Sequence, residues 1–301
     1  MNRKQHALIA LAALACLGLF AAPAGAAKKK LDTTKAYKQT GWGDTVKVKF
    51  DKDAHTIRYR SDALPNHKLL PEYAVPNPGV VVPDATNSHI ESSDTAIKAR
   101  KYDFSITTRP KKADEKTVIE TGPVGLMISG AMTYNPFEGD GETVAAASNF
   151  TLSNAQGEEV PFVDSCIGHP APRPLSAYHY HAFSKCLAKQ VDEKQGPSHI
   201  EGIAFDGFPI YGNRDIDGKK VDPADLDGCN GIKSPTPEFP NGVYHYVMLN
   251  VQTEQSSLRC LKGEVNVKIE ERLEKPQFGC PLLTANRGEV AVQRAARAAQ
   301  R

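Results

Sequence analysis

The sequence predicts a mainly β fold: a sandwich-like single domain built from two similar β-rich units with long loops. Three observations lead to this prediction. Apolar and polar residues alternate over several short segments, glycine and proline punctuate the stretches between them, and one ordered set of motifs occurs twice. An amphipathic pattern longer than about three helical turns is not evident, which favours sheets packed on sheets over a helical bundle.

The first strands are predicted near the amino-terminal end of the domain. Residues 45–60 alternate apolar with polar on both sides of a polar turn at 51–53, as a β-hairpin does. Residues 61–95 contain five prolines and few periodic apolar positions, which indicates a long irregular surface segment. A further strand is predicted over 101–108. The alanine- and arginine-rich stretch 288–301 is expected to be a short polar helix or a frayed tail.

An internal repeat dominates the middle of the chain. Both copies contain, in the same order, a glycine-flanked hexapeptide followed by a tyrosine, an Asp-x-Cys and a Tyr-His-Tyr. In the first copy these are Gly125–Gly130 with Tyr134, Asp164-Ser165-Cys166 and Tyr178-His179-Tyr180; in the second they are Gly202–Gly207 with Tyr211, Asp227-Gly228-Cys229 and Tyr244-His245-Tyr246. Such a match predicts two similar units, at about 122–190 and 199–262, packed about a pseudo-twofold axis.

The repeat also predicts how the cysteines pair. Each unit has one cysteine before its Tyr-His-Tyr strand and one after it. We therefore expect disulfides Cys166–Cys186 and Cys229–Cys260, with Cys280 free or intermolecular. Disulfides of this kind persist in an oxidising compartment.

The amino-terminal end has the three parts of a secretory signal. Residues 1–26 combine a basic start, an apolar run and a small-residue cleavage site, so the mature chain is expected to begin near Ala27 in the periplasm or outside the cell. A lipoprotein is the alternative, because residues 13–16 loosely resemble a lipidation box ending in Cys16. Residues 27–44 are interpreted as a linker, 45–262 as the domain and 263–301 as a carboxyl-terminal extension.

Charge and hydropathy narrow the possible partners. Removing Arg3 and Lys4 from 37 basic residues leaves 35, which equals the 35 acidic ones. A nearly neutral chain argues against nucleic acid as a partner. The apolar run is about 16 residues long, short of the roughly 20 that span a bilayer, so no transmembrane segment is expected in the mature chain. No protein partner can be named from the sequence.

A histidine cluster is the feature most suggestive of chemistry. Alternation along Tyr178-His179-Tyr180-His181 places both imidazoles on one face of a strand, where they can share one ion. The second unit has Ile232 where the first has His169, and Val247 where the first has His181. Polar residues thus gather in one copy of a duplicated scaffold, which a packing role does not require.

We therefore predict a metal site with ligands His169, His179 and His181, and with His245 as a fourth candidate. His67 is a further candidate. Copper is favoured and zinc is the alternative, because a histidine-rich site without thiolates suits Cu(II). The competing interpretation is that the rings pack in a β core and satisfy backbone carbonyls.

Three aspartates have two interpretations each. Asp206, Asp164 and Asp227 either close Asx-turns or orient a ligand histidine, and Asp206 is also a candidate general base. The stretch 213–218 imitates the start of a calcium loop. Calcium is not expected there, because Ala224 stands where the bidentate glutamate belongs.

Taken together, these motifs resemble the Y-H-Y-H domain family of exported bacterial proteins, over about residues 45–262. The resemblance rests on the residues around Cys166, the Tyr178–His181 motif, Gly202–Gly212, Asp225–Gly231 and Tyr244–Tyr246, and extends to Asn66-His67. It implies the fold and export and does not imply a reaction.

Three functions remain open at this point. The first is an exported protein that binds a metal ion through the histidine cluster. The second is a metal-assisted extracytoplasmic hydrolase or oxidase that uses the same histidines with Asp206. The third is a non-catalytic surface or interaction module in which the motifs are structural. Metal analysis separates the third from the other two.

Overall fold

Strands make up most of the regular structure. The structure is a computed structural model, and it describes residues 30–67, 99–153, 159–171 and 177–269. Its elements in chain order are α1 (Thr34–Gln39), β1 (Lys47–Asp51), β2 (Thr56–Ser61), β3 (Tyr102–Thr107), β4 (Lys112–Val118), β5 (Pro123–Met127), β6 (Met132–Tyr134), β7 (Thr151–Ser153), β8 (Glu159–Pro161), β9 (Gly168–Pro170), β10 (Tyr178–Tyr180), α2 (Lys185–Val191), β11 (Ile200–Ala204), β12 (Pro209–Tyr211), a 3₁₀ turn (Pro223–Asp225), β13 (Gly231–Ser234), β14 (Val243–Val247), β15 (Cys260–Gly263) and β16 (Lys268–Ile269). The prediction of a mainly β fold is confirmed.

An eight-stranded sheet forms the centre of the molecule, in the order β13-β14-β12-β11-β5-β6-β10-β9. The two halves of this order are mirror images of each other in terms of the repeat: β5, β6, β10 and β9 of the first unit correspond to β11, β12, β14 and β13 of the second unit. Within the first unit β5 pairs antiparallel with β6, β6 parallel with β10, and β10 antiparallel with β9. The second unit repeats this pattern with β11, β12, β14 and β13. The two copies of the motif therefore occupy equivalent places.

The two units meet where β5 runs antiparallel to β11. Gly202 lies opposite Met127 and Ala204 opposite Gly125. A Cβ atom at Gly125 would lie 2.7 Å from the carbonyl oxygen of Ile203, which is closer than a side chain can approach. Glycine at this position therefore lets the two central strands pack tightly.

A smaller sheet, in the order β1-β2-β3-β16, packs on the large one. The predicted hairpin is confirmed as β1 and β2, and the predicted strand over 101–108 as β3. The Tyr59 hydroxyl donates to the carbonyl oxygen of Met127 at 2.8 Å, and the rings of Phe104 and Phe205 lie 6.0 Å apart. The apolar core lies between these two layers. The short pairs β4 with β15 and β7 with β8 complete the strands.

Both flanks of the domain contribute to the fold, which corrects the interpretation of residues 27–44 as a linker. Helix α1 lies in that segment, Tyr37 is fully buried, and its hydroxyl donates to the carbonyl oxygen of Gly207 at 2.8 Å. The sequence analysis missed this helix because six residues are too few to show a period. At the other end, β16 begins the carboxyl-terminal extension and pairs with β3.

Several sequence predictions concern residues outside the described ranges: the signal segment 1–26, most of the irregular segment 61–95, Cys280 and the tail 288–301. Within the described residues, no helix has the length and apolar character needed to cross a membrane.

Candidate metal centre

A turn built on Asp164 positions the first histidine. Its carboxylate accepts hydrogen bonds from the backbone amides of Cys166 at 2.8 Å and Gly168 at 3.2 Å, and from the Tyr178 hydroxyl at 2.9 Å. These bonds hold the start of β9 against β10. His169 consequently lies directly opposite His179 in the antiparallel register.

The second unit builds the same turn on Asp227. The amides of Cys229 and Gly231 donate to its carboxylate at 2.8 and 3.1 Å, and the Tyr244 hydroxyl donates at 3.0 Å. The Asx-turn interpretation thus describes both aspartates, whose carboxylates organise loops and are not directed at a histidine. The same turn places Ile232 opposite His245, in the positions that His169 and His179 occupy in the first unit.

Asp206 also has a structural role. It is fully buried, and it accepts from the Phe208 amide at 3.1 Å, the Gly263 amide at 2.8 Å and the Tyr246 hydroxyl at 2.6 Å. Burial raises the pKa of its carboxyl to about 6. Because these donors occupy both oxygens, Asp206 joins the turn after β11 to β14 and β15 and does not orient a ligand histidine.

Two disulfides fasten the units, one in each. Cys166 is bonded to Cys186 and Cys229 to Cys260, which is the pairing that the repeat predicts. The first bond joins the Asp164 turn to α2. The second joins the Asp227 turn to β15.

Three imidazoles of the first unit converge. Each Nδ1 lies 2.7–3.1 Å from a backbone carbonyl oxygen, that of Pro170 for His169, Ala177 for His179 and Asn135 for His181. A carbonyl oxygen can only accept, so each Nδ1 carries a proton, and in a neutral ring Nε2 is then the nitrogen that can bind a metal ion. Ligand histidines in metal sites are commonly oriented in this way.

The free nitrogens meet inside the protein. Nε2 of His169 lies 3.0 Å from Nε2 of His181, and one nitrogen from each of the three rings lies within 4.8 Å of the others. All three side chains are less than a tenth exposed. Two facing lone pairs in an apolar interior repel each other unless a proton or a cation lies between them.

Glu138 belongs to the same cluster and was missed in the sequence analysis. Its Oε1 lies 3.2 Å from Nε2 of His169 and 3.4 Å from Nε2 of His181. This oxygen is buried, and no group among the described residues donates a hydrogen bond to it. An unpaired buried carboxylate oxygen is costly, and a bound cation would compensate it.

Residues 103–223 match the family model described as YHYH protein. No curated protein and no solved structure matches the chain at a significant level. The matched region contains Glu138, His169, His179 and His181 and ends before His245. The candidate centre therefore lies entirely within the YHYH match.

Aromatic rings enclose the candidate metal centre. Tyr134 stacks on His179 with ring centroids 3.8 Å apart, and Phe162 lies 4.2 Å from the ring of His169. Burial lowers the pKa of His181 to about 4, and burial together with the neighbouring imidazoles holds the pKa of His179 well below its usual value. Burial acts to raise the pKa of Glu138, but His169 and His181 outweigh it and hold that pKa below its usual value. Imidazole nitrogens beside a carboxylate form a suitable donor set for a divalent ion.

The structure corrects the expectation for His245. It lies on β14, and four strands separate β14 from β10 in the large sheet. At about 4.8 Å per strand the two positions are roughly 24 Å apart, so His245 cannot share an ion with His179. It packs instead against Tyr211, as His179 packs against Tyr134.

Glu138 could have been found from the repeat. Tyr134 and Tyr211 are equivalent, and four residues after them stand Glu138 and Asp215. The two acids make matching backbone bonds: the amide of Gly141 donates to the carbonyl of Glu138, and that of Gly218 to the carbonyl of Asp215. Beyond the two tyrosines the sequences of the loops differ, and the second loop resembles the start of a calcium loop, which hides the equivalence of the two acids.

Proposed function

We propose that this protein is an exported metal-binding protein whose YHYH domain holds one transition-metal ion, copper in preference to zinc. The ligands are Nε2 of His169, His179 and His181, and Glu138 supplies a carboxylate oxygen. Export rests on residues 1–26 and on the two disulfides, which fit an oxidising compartment.

The observation that carries the proposal is the spacing of the donor atoms. Two ligands placed 2.0–2.1 Å from one tetrahedral ion lie about 3.3 Å apart. The distances among His169 Nε2, His181 Nε2 and Glu138 Oε1 are 3.0, 3.2 and 3.4 Å. The side chains are thus arranged as if around an ion, with every Nδ1 proton committed to a carbonyl.

The preference for copper rests on the donor set. Imidazole and carboxylate bind both Cu(II) and Zn(II), and for a given site of this type Cu(II) binds more tightly. The four donor residues are each less than a tenth exposed, which is typical of a site that stores or retains an ion rather than one that opens to a substrate.

Metal analysis of the purified protein tests the proposal. The chain is produced without a histidine tag, offered equal copper and zinc, and analysed by elemental mass spectrometry; we expect about one metal ion per chain. His181→Val, which introduces the residue found at the equivalent Val247, should remove most of the metal. The matched control His245→Val should retain it.

Two results would contradict the metal site. One is a metal-free wild-type protein after incubation with both ions, which would assign the short nitrogen–nitrogen contact to a shared proton and the motifs to structure alone. The other is unchanged binding in His181→Val. Amino-terminal sequencing tests export separately, with a mature start near Ala27 as the expected result.

A further inference from the structure

His67 lies beside one of the two disulfides. Its Nδ1 is 3.5 Å from Sγ of Cys166, and its ring meets the ring of Tyr178 edge-on at 5.6 Å. This arrangement joins residues that are far apart in the sequence, and the function proposed above makes no use of it.

The hydrogen bonds around His67 determine which ring nitrogen has a lone pair. The Tyr180 hydroxyl donates its only hydrogen to Oγ of Ser129 at 2.9 Å. The same hydroxyl oxygen lies 2.7 Å from Nε2 of His67, so Nε2 must be the donor in that contact. In a neutral ring Nδ1 of His67 then has the lone pair, and this nitrogen faces the sulfur of Cys166.

The disulfide of the other unit has different neighbours. Sγ of Cys260 lies 3.5 Å from the carbonyl oxygen of Gly228, and Cys229 and Cys260 are both buried. In the first unit Cys166 is buried but Cys186 is partly exposed. A reductant can therefore reach the first disulfide more readily than the second.

We propose that reduction of Cys166–Cys186 creates a second metal site, which binds a soft ion, Cu(I) or Zn(II), through two thiolates and Nδ1 of His67. One ligand atom from each of these three residues lies within 4.8 Å of the others. Thiolate sulfur with imidazole nitrogen is a donor set that selects such ions. While the disulfide is intact its sulfurs carry no negative charge, so the site exists only in the reduced protein.

The reductant is a dithiol. Its first thiolate attacks Sγ of Cys186, breaks the protein S–S bond and releases the Cys166 thiolate beside His67. Its second thiol then attacks the mixed disulfide, which yields a cyclic disulfide and two protein thiols. The protein gains two electrons and two protons, and binding the metal releases protons from the thiols. Reoxidation by an external disulfide reverses the sequence and frees the ion.

This inference does not depend on the function proposed above, because the two sites share no ligand. A thiolate ligand also gives a signal that an imidazole and carboxylate site lacks: a sulfur-to-cobalt charge-transfer band in the near ultraviolet when Co²⁺ replaces the native ion.

The test titrates Co²⁺ into the full chain carrying Cys16→Ser and Cys280→Ser, before and after limited reduction by a dithiol that is then removed. Mass spectrometry of alkylated peptides should show that Cys166–Cys186 is reduced before Cys229–Cys260. The charge-transfer band should appear only after reduction. His67→Ala should lose most of its intensity at one equivalent of Co²⁺, whereas His181→Val should keep it.

Several outcomes would overturn the proposal. They are a folded, reduced protein without the band, a band that survives His67→Ala, and preferential reduction of Cys229–Cys260. Loss of the native circular dichroism after selective reduction counts against it as well, because only the fold brings positions 67, 166 and 186 together. Cys186→Ala, which leaves the Cys166 thiol beside His67 without any reductant, provides an independent check: it should give a weaker band that still requires His67.

Discussion

The two units of the large sheet share one backbone pattern and differ in the side chains that they place at equivalent positions. The first unit has His169, His181 and Glu138 where the second has Ile232, Val247 and Asp215. Both units keep the Asx-turn, the disulfide and the Tyr-His-Tyr strand. The shared residues therefore build the scaffold and include His179, and the residues that differ complete the candidate centre.

Asp215 shows how far the second unit departs from the first. Its Oδ1 accepts from the amides of Asp217 and Lys219 at 3.0 and 2.8 Å, so the carboxylate closes its own loop, and the residue is partly exposed. Glu138 is one methylene longer, and its carboxylate reaches the buried histidines. The side chain that contacts the histidines of the candidate metal centre is thus one CH₂ group longer than its counterpart in the second unit.

Removing the disulfides should give the largest change in the free energy of unfolding, and it tests whether the two units are equivalent in stability. The bonds close loops of 20 and 31 residues, and the chain-entropy model assigns each about 3–4 kcal/mol. Replacing either pair by serine should lower the free energy of unfolding by similar amounts, measured by urea denaturation under metal-free conditions. A large difference between the pairs would show that the units are not equivalent in stability.

Features of the fold could be predicted where they depend on a pattern in the sequence, and could not where they depend on contacts between distant residues. The strands, the repeat and both disulfide pairs were predictable, because period-two alternation and duplicated motifs are properties of the sequence itself. Helix α1 was not, since Tyr37 is buried by contacts with residues about 170 positions away. His245 lies far from the candidate centre because of the order of the strands in the large sheet. The similarity of the two motifs in the sequence does not reveal that order.

A second prediction concerns the loss of stability in acid and is based on His245, which belongs to the second unit and lies outside the candidate metal centre. Burial lowers the pKa of His245 to about 4, while an unfolded histidine titrates near 6.5. Between these values the unfolded state binds the extra proton, so stability is present above pH 6.5 and is lost as pH falls towards 4. The stability that the shifted pKa of His245 contributes above pH 6.5 amounts to roughly 3 kcal/mol.

Urea denaturation at pH 7 and pH 5 measures this slope in the presence of a chelator. His245→Asn keeps a donor for the Val243 carbonyl and removes one titrating group, so it should reduce the pH dependence, and the lowered pKa values of His179 and His181 account for the part that remains. An unchanged slope would mean that the acid sensitivity arises elsewhere.

A third prediction compares the tyrosines at the centres of the two motifs. The Tyr246 hydroxyl donates to the buried carboxylate of Asp206, whereas that of Tyr180 donates to Oγ of Ser129. Bonds to charged groups contribute about 1.5–3 kcal/mol and neutral ones about 1 kcal/mol. Tyr246→Phe should therefore destabilise the protein more than Tyr180→Phe in thermal or urea unfolding. Equal losses would indicate that Asp206 is protonated when folded.

The smallest effect separates Glu138 from its counterpart. Glu138→Gln keeps the shape of the side chain and removes its charge, so affinity for copper or zinc should fall about tenfold, or about 1.4 kcal/mol. Asp215→Asn should leave the affinity unchanged. Competition against a chelator of known affinity measures both variants, and equal effects would remove Glu138 from the ligand set.

The antiparallel pairing of β5 with β11 has a consequence for biogenesis. Residues 123–127 are synthesised about 75 positions before their partner, so an unfinished chain has an open sheet edge. An open edge of this kind can recruit another copy, which is how sheet proteins aggregate. A fragment ending before residue 200 should therefore self-associate through β5, and keeping the chain unfolded until the second unit is complete would protect it during synthesis.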